Sequence, residues 1–324
     1  MRQTPIPYSL RSDLQRVDRV WSASLRSGNP YIQKMMAYLE KGGGKRIRPA
    51  LVLLSARAFG EVTGSVVALG AAVEMLHVAT LIHDDIIDHA AIRRKQKTLN
   101  YKWGNEASVL MGDYFFSSVY CLMARQLPAK VTETIAETTH TICRGEITET
   151  FNRFNPDLTE DQYLSIAQDK TACLFAAACQ TGAILSGADE NAVESMRCYG
   201  TGLGMAFQLV DDALDYDGRE KKLGKPKGSD FKEGKLTLPV LHTLHAVGPA
   251  EKRKIKKMIS KPLKTAGDFK RISALVRQNG SAAYTRDRAE GFAQDAEKSI
   301  SFLKNEVVRK QLVQFARFVV QRDY

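Results

Sequence analysis

An all-α fold is what this chain of 324 residues predicts, and three observations carry the prediction. Apolar residues recur at three- and four-residue spacing along nearly every segment. Ala and Leu abound, and no run shows the apolar–polar alternation of a half-buried strand. Helices are expected over residues 11–25, 30–41, 48–59, 62–88, 104–126, 129–152, 160–186, 190–217, 235–246, 250–259, 267–277, 280–302 and 306–319. The second ends at the break Gly42-Gly43-Gly44, and Pro49 stands in the first turn of the third, where its missing N–H costs nothing. The fourth is apolar almost all round from Val66 to Ile82, so it should lie centrally with other helices about it. Asn155-Pro156-Asp157 and Gly187-Ala188-Asp189 separate later helices, with Thr159 and Asp189 as caps. No linker, low-complexity tract, composition shift or repeat divides the chain, and a single domain over 1–324 is expected.

Net charge is +11, from 47 basic and 36 acidic residues, a balance that favours anionic partners. Much of the excess lies in Arg253–Lys264 and Lys221–Lys235. The first stretch reads as a solvated helix face, with a weak peripheral membrane contact as its other use. No zinc finger, RNA-binding motif or aromatic-interleaved basic patch favours nucleic acid. The five cysteines, Cys121, Cys143, Cys173, Cys179 and Cys198, are odd in number and lack C-x-x-C spacing. Their apolar and small neighbours suggest buried reduced thiols. Met1–Leu10 holds no signal-peptide core, and Val66–Ile82 is interrupted by Glu74 and His77, too short and polar to span a bilayer comfortably. A cytoplasmic location is expected.

Two acidic clusters of one spacing point to chemistry. Asp84-Asp85-Ile86-Ile87-Asp88 and Asp211-Asp212-Ala213-Leu214-Asp215 each place carboxylates at i, i+1 and i+4. On a helix the first and last share a face, and the middle one lies about 100° round. Both follow apolar runs, Ala79-Thr80-Leu81-Ile82 and Met205-Ala206-Phe207-Gln208-Leu209-Val210, which belong inside a fold. Unpaired carboxylates are costly there. Six inward acids with no adjacent Lys or Arg need cations, and hard oxygen donors suit Mg²⁺ beside substrate phosphates.

Basic residues accompany the acids. Lys45-Arg46-Ile47-Arg48-Pro49, at a loop-to-helix junction, is either an anion site or a solvated turn. Arg93-Arg94 either neutralises the first cluster or offers planar forks to a diphosphate. His77 lies two turns before Asp84 on the same face, as a core histidine or a site residue. The block Gly224–Lys235, with Lys225, Lys227, Asp230 and Lys232, is a solvated linker or a mobile cover over phosphate and metal.

On these residues the chain resembles the trans-isoprenyl (polyprenyl) diphosphate synthases, most closely the long-chain bacterial members of the octaprenyl type. The motifs run from Gly-Gly-Lys-Arg-Ile-Arg-Pro (43–49) and His-Asp-Asp-Ile-Ile-Asp (83–88) with Arg93-Arg94 to Gly-Asp-Tyr (112–114) and Gly-Glu-Ile (145–147). Lys170-Thr171, Phe-Gln-Leu-Val-Asp-Asp (207–212) and Gly-Lys-Leu-Thr-Leu-Pro (234–239) complete them. The resemblance implies antiparallel helices around a deep central cavity, usually a homodimer. It implies Mg²⁺, about three ions with the bound diphosphate, on Asp84, Asp85, Asp88, Asp211, Asp212 and Asp215. It gives the allylic diphosphate to Arg93, Lys170, Thr171, Gln208, Lys225 and Lys235, and isopentenyl diphosphate to Lys45, Arg48, His77 and Arg94. Ionisation of the allylic C–O bond, attack by the isopentenyl double bond and proton loss need no protein nucleophile. That agrees with the lack of a Ser-His-Asp or Cys-His signature.

Lys95 stands where the resemblance leads one to expect Gly, His89 replaces an acid, and Glu149 occupies a place often held by Gln. A geranylgeranyl-type synthase that stops early is the nearest alternative. Ala79 and Thr80, one turn before Asp84, argue against it, because short-chain members tend to carry bulky residues there. A terpene cyclase would not need Lys45, Arg48 and Arg94. A non-catalytic subunit of a heteromeric synthase commonly lacks one acidic cluster, and both are intact here. With small residues the tunnel stays open, its floor falling to Met75, Met123 or a residue of 129–152, and a product beyond about C20 is expected, with a quinone side chain as its use. Ala79→Phe or Thr80→Phe should shorten the product. Sizing of extracted products checks this, and an unchanged ladder from both variants contradicts it.

Overall fold

Helix α4 (Gly64–Ile87) is buried without a break from Val66 to Leu76 in the computed structural model, which describes residues 6–93, 96–217 and 228–322. It packs against α1 (Arg11–Ser24), α3 (Ile47–Arg57) and α6 (Asn105–Gln126). The all-round apolar sequence is what allows this central place. Each fully buried Val, Leu or Met there contributes roughly 1.5–3 kcal/mol. Glu74 is the exception, a carboxylate 5% exposed among them. Arg46 Nη1 reaches it at 2.8 Å, with Arg46 Nε on Asp18 at 2.9 Å. Arg46 takes a left-handed φ of 50° just before α3, a conformation unusual for a side chain of its size. Arg57 Nη2 on Asp13 at 2.6 Å ties α3 to α1.

The remaining elements are α2 (Pro30–Lys41), a two-residue antiparallel pair β1 (Ile92–Arg93) and β2 (Gln96–Lys97), α5 (Leu99–Trp103) and α7 (Ala129–Phe151). Then come α8 (Glu160–Ala167), a π-helical turn (Gln168–Ala172), α9 (Cys173–Leu185), α10 (Glu190–Asp217) and α11 (Ser229–Lys232). The chain closes with α12 (Leu238–Ala246), α13 (Pro249–Ile259), α14 (Ala266–Gln278), α15 (Ser281–Ser299) and α16 (Glu306–Gln321). The fold is all-α, as expected. Thr159 forms a capping box with Gln162, and Asp189 Oδ1 accepts from the Ala192 N–H at 2.8 Å.

Three features depart from the expected elements. The helix over 160–186 is interrupted by the π-turn. The segments α5 and α11 are too short to show a period, and the β1–β2 pair is too short to show alternation. The cysteines depart as well: Cys179 is buried, but Cys121, Cys143 and Cys198 are exposed and Cys173 is intermediate. Sequence neighbours on a helix point to different faces, so Ile142 is buried while Cys143 beside it is not. The basic face of α13 is solvated, with Arg253, Lys254 and Lys257 exposed and Ile255, Met258 and Ile259 buried.

The chain clusters into two compact units. Residues up to 139, 174–200 and 299–315 form one, and 140–173, 201–298 and those from 316 on form the other. Neither is a contiguous stretch, so no linker marks them in the sequence. In the first, the buried Tyr199 donates its hydroxyl to Leu312 O at 2.8 Å. In the second, α12 packs against α8, α13 and α14, and Tyr284 on α15 donates to Glu160 on α8 at 3.2 Å.

Helices α9 and α3 approach closely at Gly182, where a Cβ would stand 2.6 Å from Val52 O and 3.0 Å from Ser55 Cβ. Gly182→Ala should therefore destabilise the protein by roughly 2 kcal/mol despite its better helix propensity. Equilibrium denaturant unfolding checks this, and a stabilised variant contradicts it.

Candidate functional site

In the first unit, the acidic cluster ends α4: Asp84 and Asp85 lie in its last turn and Asp88 is its C-cap. The negative end of the helix dipole lies there, so carboxylates at this place raise the demand for a cation. Asp85 is buried, and Arg93 from β1 donates to it through Nε at 2.6 Å. Asn100 Nδ2 holds the Asp85 carbonyl at 3.1 Å. Of the two uses expected for Arg93, neutralising the first cluster is the one this contact supplies. Asp84 and Asp88 are half-buried. Earlier on the same helix, His77 is half-buried, Ala79 is wholly buried, and Thr80 donates its hydroxyl to His77 O at 2.8 Å.

The basic junction divides its labour. Arg46 is engaged by Glu74 and Asp18, and so belongs to the core of the first unit. Lys45 is exposed, and the Arg48 guanidinium lies 4.5 Å over the Phe175 ring.

In the second unit, the aspartates of α10 have unequal surroundings. The Asp211 side chain is 44% exposed, where an inward face was expected, and it pairs at 2.7 Å with Nη2 of Arg322, a cation remote in sequence. Arg322 comes from the end of the chain, covers the Phe207 ring at 3.9 Å and donates to Phe207 O at 2.6 Å. Asp212 is buried and doubly bonded: Tyr163 donates to one oxygen, and Gln208 Nε2 to the other at 2.8 Å. Gln208 Oε1 in turn accepts from Thr171 Oγ1 at 2.8 Å. Asp215 is fully buried. Burial and the nearby Asp230 push the Asp212 carboxyl well above the usual carboxylate range, against the donors Tyr163 and Gln208. Burial likewise raises the Tyr163 phenol.

The π-turn sets Lys170 and Thr171. It is made possible from α7, where Gly145 lets the backbone approach: a Cβ there would stand 2.7 Å from Lys170 N. A π-turn inserts an extra residue into a helix and often marks a functional position. Here Lys170 meets α7, with its Nζ at 2.5 Å from Glu146 Oε2 and 2.7 Å from Glu149 Oε2, while Thr171 meets Gln208 on α10. Lys235 Nζ lies 3.7 Å from the same Glu149 oxygen and 3.1 Å from Glu233.

Arg94 and Lys225 lie outside the described residues, as does the first part of the Gly224–Lys235 block, from Gly224 to Lys227. Among the described residues no group of three or more His, Cys, Asp or Glu is placed to hold a metal ion by itself. Within the first unit, the half-buried Asp84 and Asp88 at a helix C-terminus are oxygen donors of the kind that suit a hard divalent cation, which would take the rest of its shell from a bound anion; within the second, the partly exposed Asp211 is a donor of the same kind. Tyr163 and Arg322 were missed in the sequence, and Glu146 and Glu233 stood only as parts of the Gly-Glu-Ile motif and the Gly224–Lys235 block, since nothing local marks a residue whose partner is far along the chain.

The polyprenyl synthetase family model matches residues 29–276. The chain is 37% identical to the octaprenyl diphosphate synthase of Escherichia coli over 96% of both chains, and 33% identical to heptaprenyl diphosphate synthase component 2 of Bacillus subtilis over 97% of this chain and 89% of that one. Other relatives are named as nonaprenyl and geranylgeranyl diphosphate synthases. Among solved structures, polyprenyl synthase from Caulobacter crescentus, complexed with calcium and isoprenyl diphosphate, superposes with a TM-score of 0.95 at 35% identity over all of both chains. A divalent cation and an isoprenoid diphosphate accord with the acidic helix ends and the lysine-bearing π-turn described above. The chain belongs to the polyprenyl synthetase family of prenyltransferases and is a trans-polyprenyl diphosphate synthase.

Proposed function

We propose that this enzyme extends farnesyl diphosphate by repeated addition of isopentenyl units to a long all-trans product of about C35–C50, a length suited to a quinone side chain. The observation that carries the length is Ala79, small and wholly buried on α4, one turn before Asp84 with Thr80 beside it. A side chain of this size leaves room where an aromatic ring would stop a growing tail. The range of product names among relatives, from geranylgeranyl to nonaprenyl, leaves the length to this local argument.

Asp84, Asp85 and Asp88, with Asp211, Asp212 and Asp215, would hold Mg²⁺, about three ions in all. When bound, the ions neutralise the diphosphate and make it a better leaving group. Lys170, Thr171, Gln208, Lys225, Lys235 and Arg93 bind and orient the allylic diphosphate, and Lys45, Arg48, His77 and Arg94 bind the isopentenyl one. The allylic C–O bond breaks, the isopentenyl double bond forms the new C–C bond, and the proton lost goes to the departing diphosphate. The apolar length of α4 excludes water from the allylic cation. Tyr163 and Gln208 fix the orientation of Asp212.

The working state is proposed to be a homodimer of one polyprenyl synthase domain per chain, in the cytoplasm. Helix α6 supports the dimer, since Leu110 is 67% exposed and Val109 and Tyr120 stand out with it. The Bacillus relative named as one component of its enzyme favours a second reading, in which a different chain is required.

Two measurements test these proposals. Purified protein with Mg²⁺, labelled isopentenyl diphosphate and farnesyl diphosphate should give a ladder ending near about C35–C50. A stop at C20 overturns the open-tunnel argument, and no elongation from any allylic primer favours a partner-dependent subunit. Tyr163→Phe should lower kcat roughly tenfold and raise the Mg²⁺ needed for half-maximal rate, with the KM for isopentenyl diphosphate unchanged. Unaltered Mg²⁺ dependence contradicts the role given to Tyr163.

A further inference from the structure

Around Lys170 and Lys235 the charges do not favour an anion. Their two ammonium groups face three carboxylates, those of Glu146, Glu149 and Glu233. Glu146 meets Lys170, and Glu233 meets Lys235, whereas Glu149 Oε2 is within reach of both lysines, at 2.7 and 3.7 Å. The side chains are largely withdrawn from solvent, with Lys170 20%, Lys235 10% and Glu149 21% exposed, so water screens these contacts only in part. A diphosphate oxygen that reaches either ammonium group must share it with, or displace, a carboxylate already there.

We propose that Glu149 is the resting counter-ion of the diphosphate pocket. Its carboxylate holds Lys170 and Lys235 together when no diphosphate is present, and it weakens the grip on that group by competing for the same two ammonium groups. Glu149 comes from α7, Lys170 from the π-turn and Lys235 from the segment after α11, so exchange of carboxylate for phosphate oxygens replaces the one side chain that all three share, while Glu146 still holds Lys170 to α7. The turnover consequence is specific: the same competition that weakens substrate binding eases release of the diphosphate product. This inference rests on the assignment of Lys170 and Lys235 to the diphosphate.

The test is calorimetric titration of inorganic pyrophosphate, with Mg²⁺, into the purified full chain. Glu149→Gln keeps the shape and removes the charge, and should tighten pyrophosphate binding roughly three- to tenfold, the size of a partly screened charge contact. Glu149→Ala should shift affinity in the same direction, and Glu149→Asp, which keeps the charge, should stay near wild type. The KM for the allylic diphosphate should fall with the neutral variants while that for isopentenyl diphosphate stays. Equal or weaker pyrophosphate binding in both neutral variants, or an Asp variant that behaves as they do, overturns the proposal. Lys170→Gln and Lys235→Gln separate the two levels. If they weaken pyrophosphate binding but Glu149→Gln does not tighten it, the counter-ion role fails alone; if they leave it unchanged, the lysine assignment fails and the counter-ion role with it.

Discussion

A carboxylate withdrawn from water must find positive charge or strong donors, and much of this molecule is arranged by that constraint. Glu74 within α4 is answered by Arg46, which takes a left-handed backbone to reach it. Asp85 is answered by Arg93, Asp212 by Tyr163 and Gln208, and Asp211 by Arg322. Within each acidic triplet the members are therefore not equivalent. Asp85 and Asp212, the middle ones, are buried and held by protein donors, while Asp84, Asp88 and Asp211 keep more contact with solvent. A set of carboxylates of this kind has a buried component held in place by donors and a more open one.

Helix breaks do as much as the helices. The π-turn at Gln168–Ala172 places consecutive residues, Lys170 and Thr171, against different helices, α7 and α10, which a regular turn would present about 100° apart on one surface. Gly145 is the complement of that turn, its missing Cβ admitting the Lys170 backbone. The Thr171–Gln208–Asp212–Tyr163 chain then links the lysine-bearing turn to the acidic helix through hydrogen bonds in which each amide and hydroxyl has a partner.

Most of the helical framework was legible because its signals are local. The all-round apolar run of α4, the cap residues Thr159 and Asp189 and the glycine break before α3 each lie within one turn of what they determine. The acidic clusters were legible for the same reason. The anchoring of those clusters was not: Tyr163 reaches Asp212 across 49 positions, and Arg322 reaches Phe207 across 115. No spacing rule connects them. Arg46 was read with Lys45 and Arg48 as part of an anion site or a solvated turn, because sequence shows their adjacency but not Glu74 in the neighbouring helix. The exposed Cys121, Cys143 and Cys198 failed for the converse reason, since apolar sequence neighbours lie on other faces of the helix.

The central claim is that both acidic clusters hold divalent cations while Lys170 and Lys235 hold the diphosphate. A crystal structure with Mn²⁺ and a non-cleavable thio-analogue of farnesyl diphosphate, with ions located by anomalous scattering, tests it most directly. The account predicts ions beside Asp84 or Asp88 and beside Asp211, with phosphate oxygens on both lysines. Ions at only one cluster, or a diphosphate bound away from Lys170 and Lys235, would contradict it.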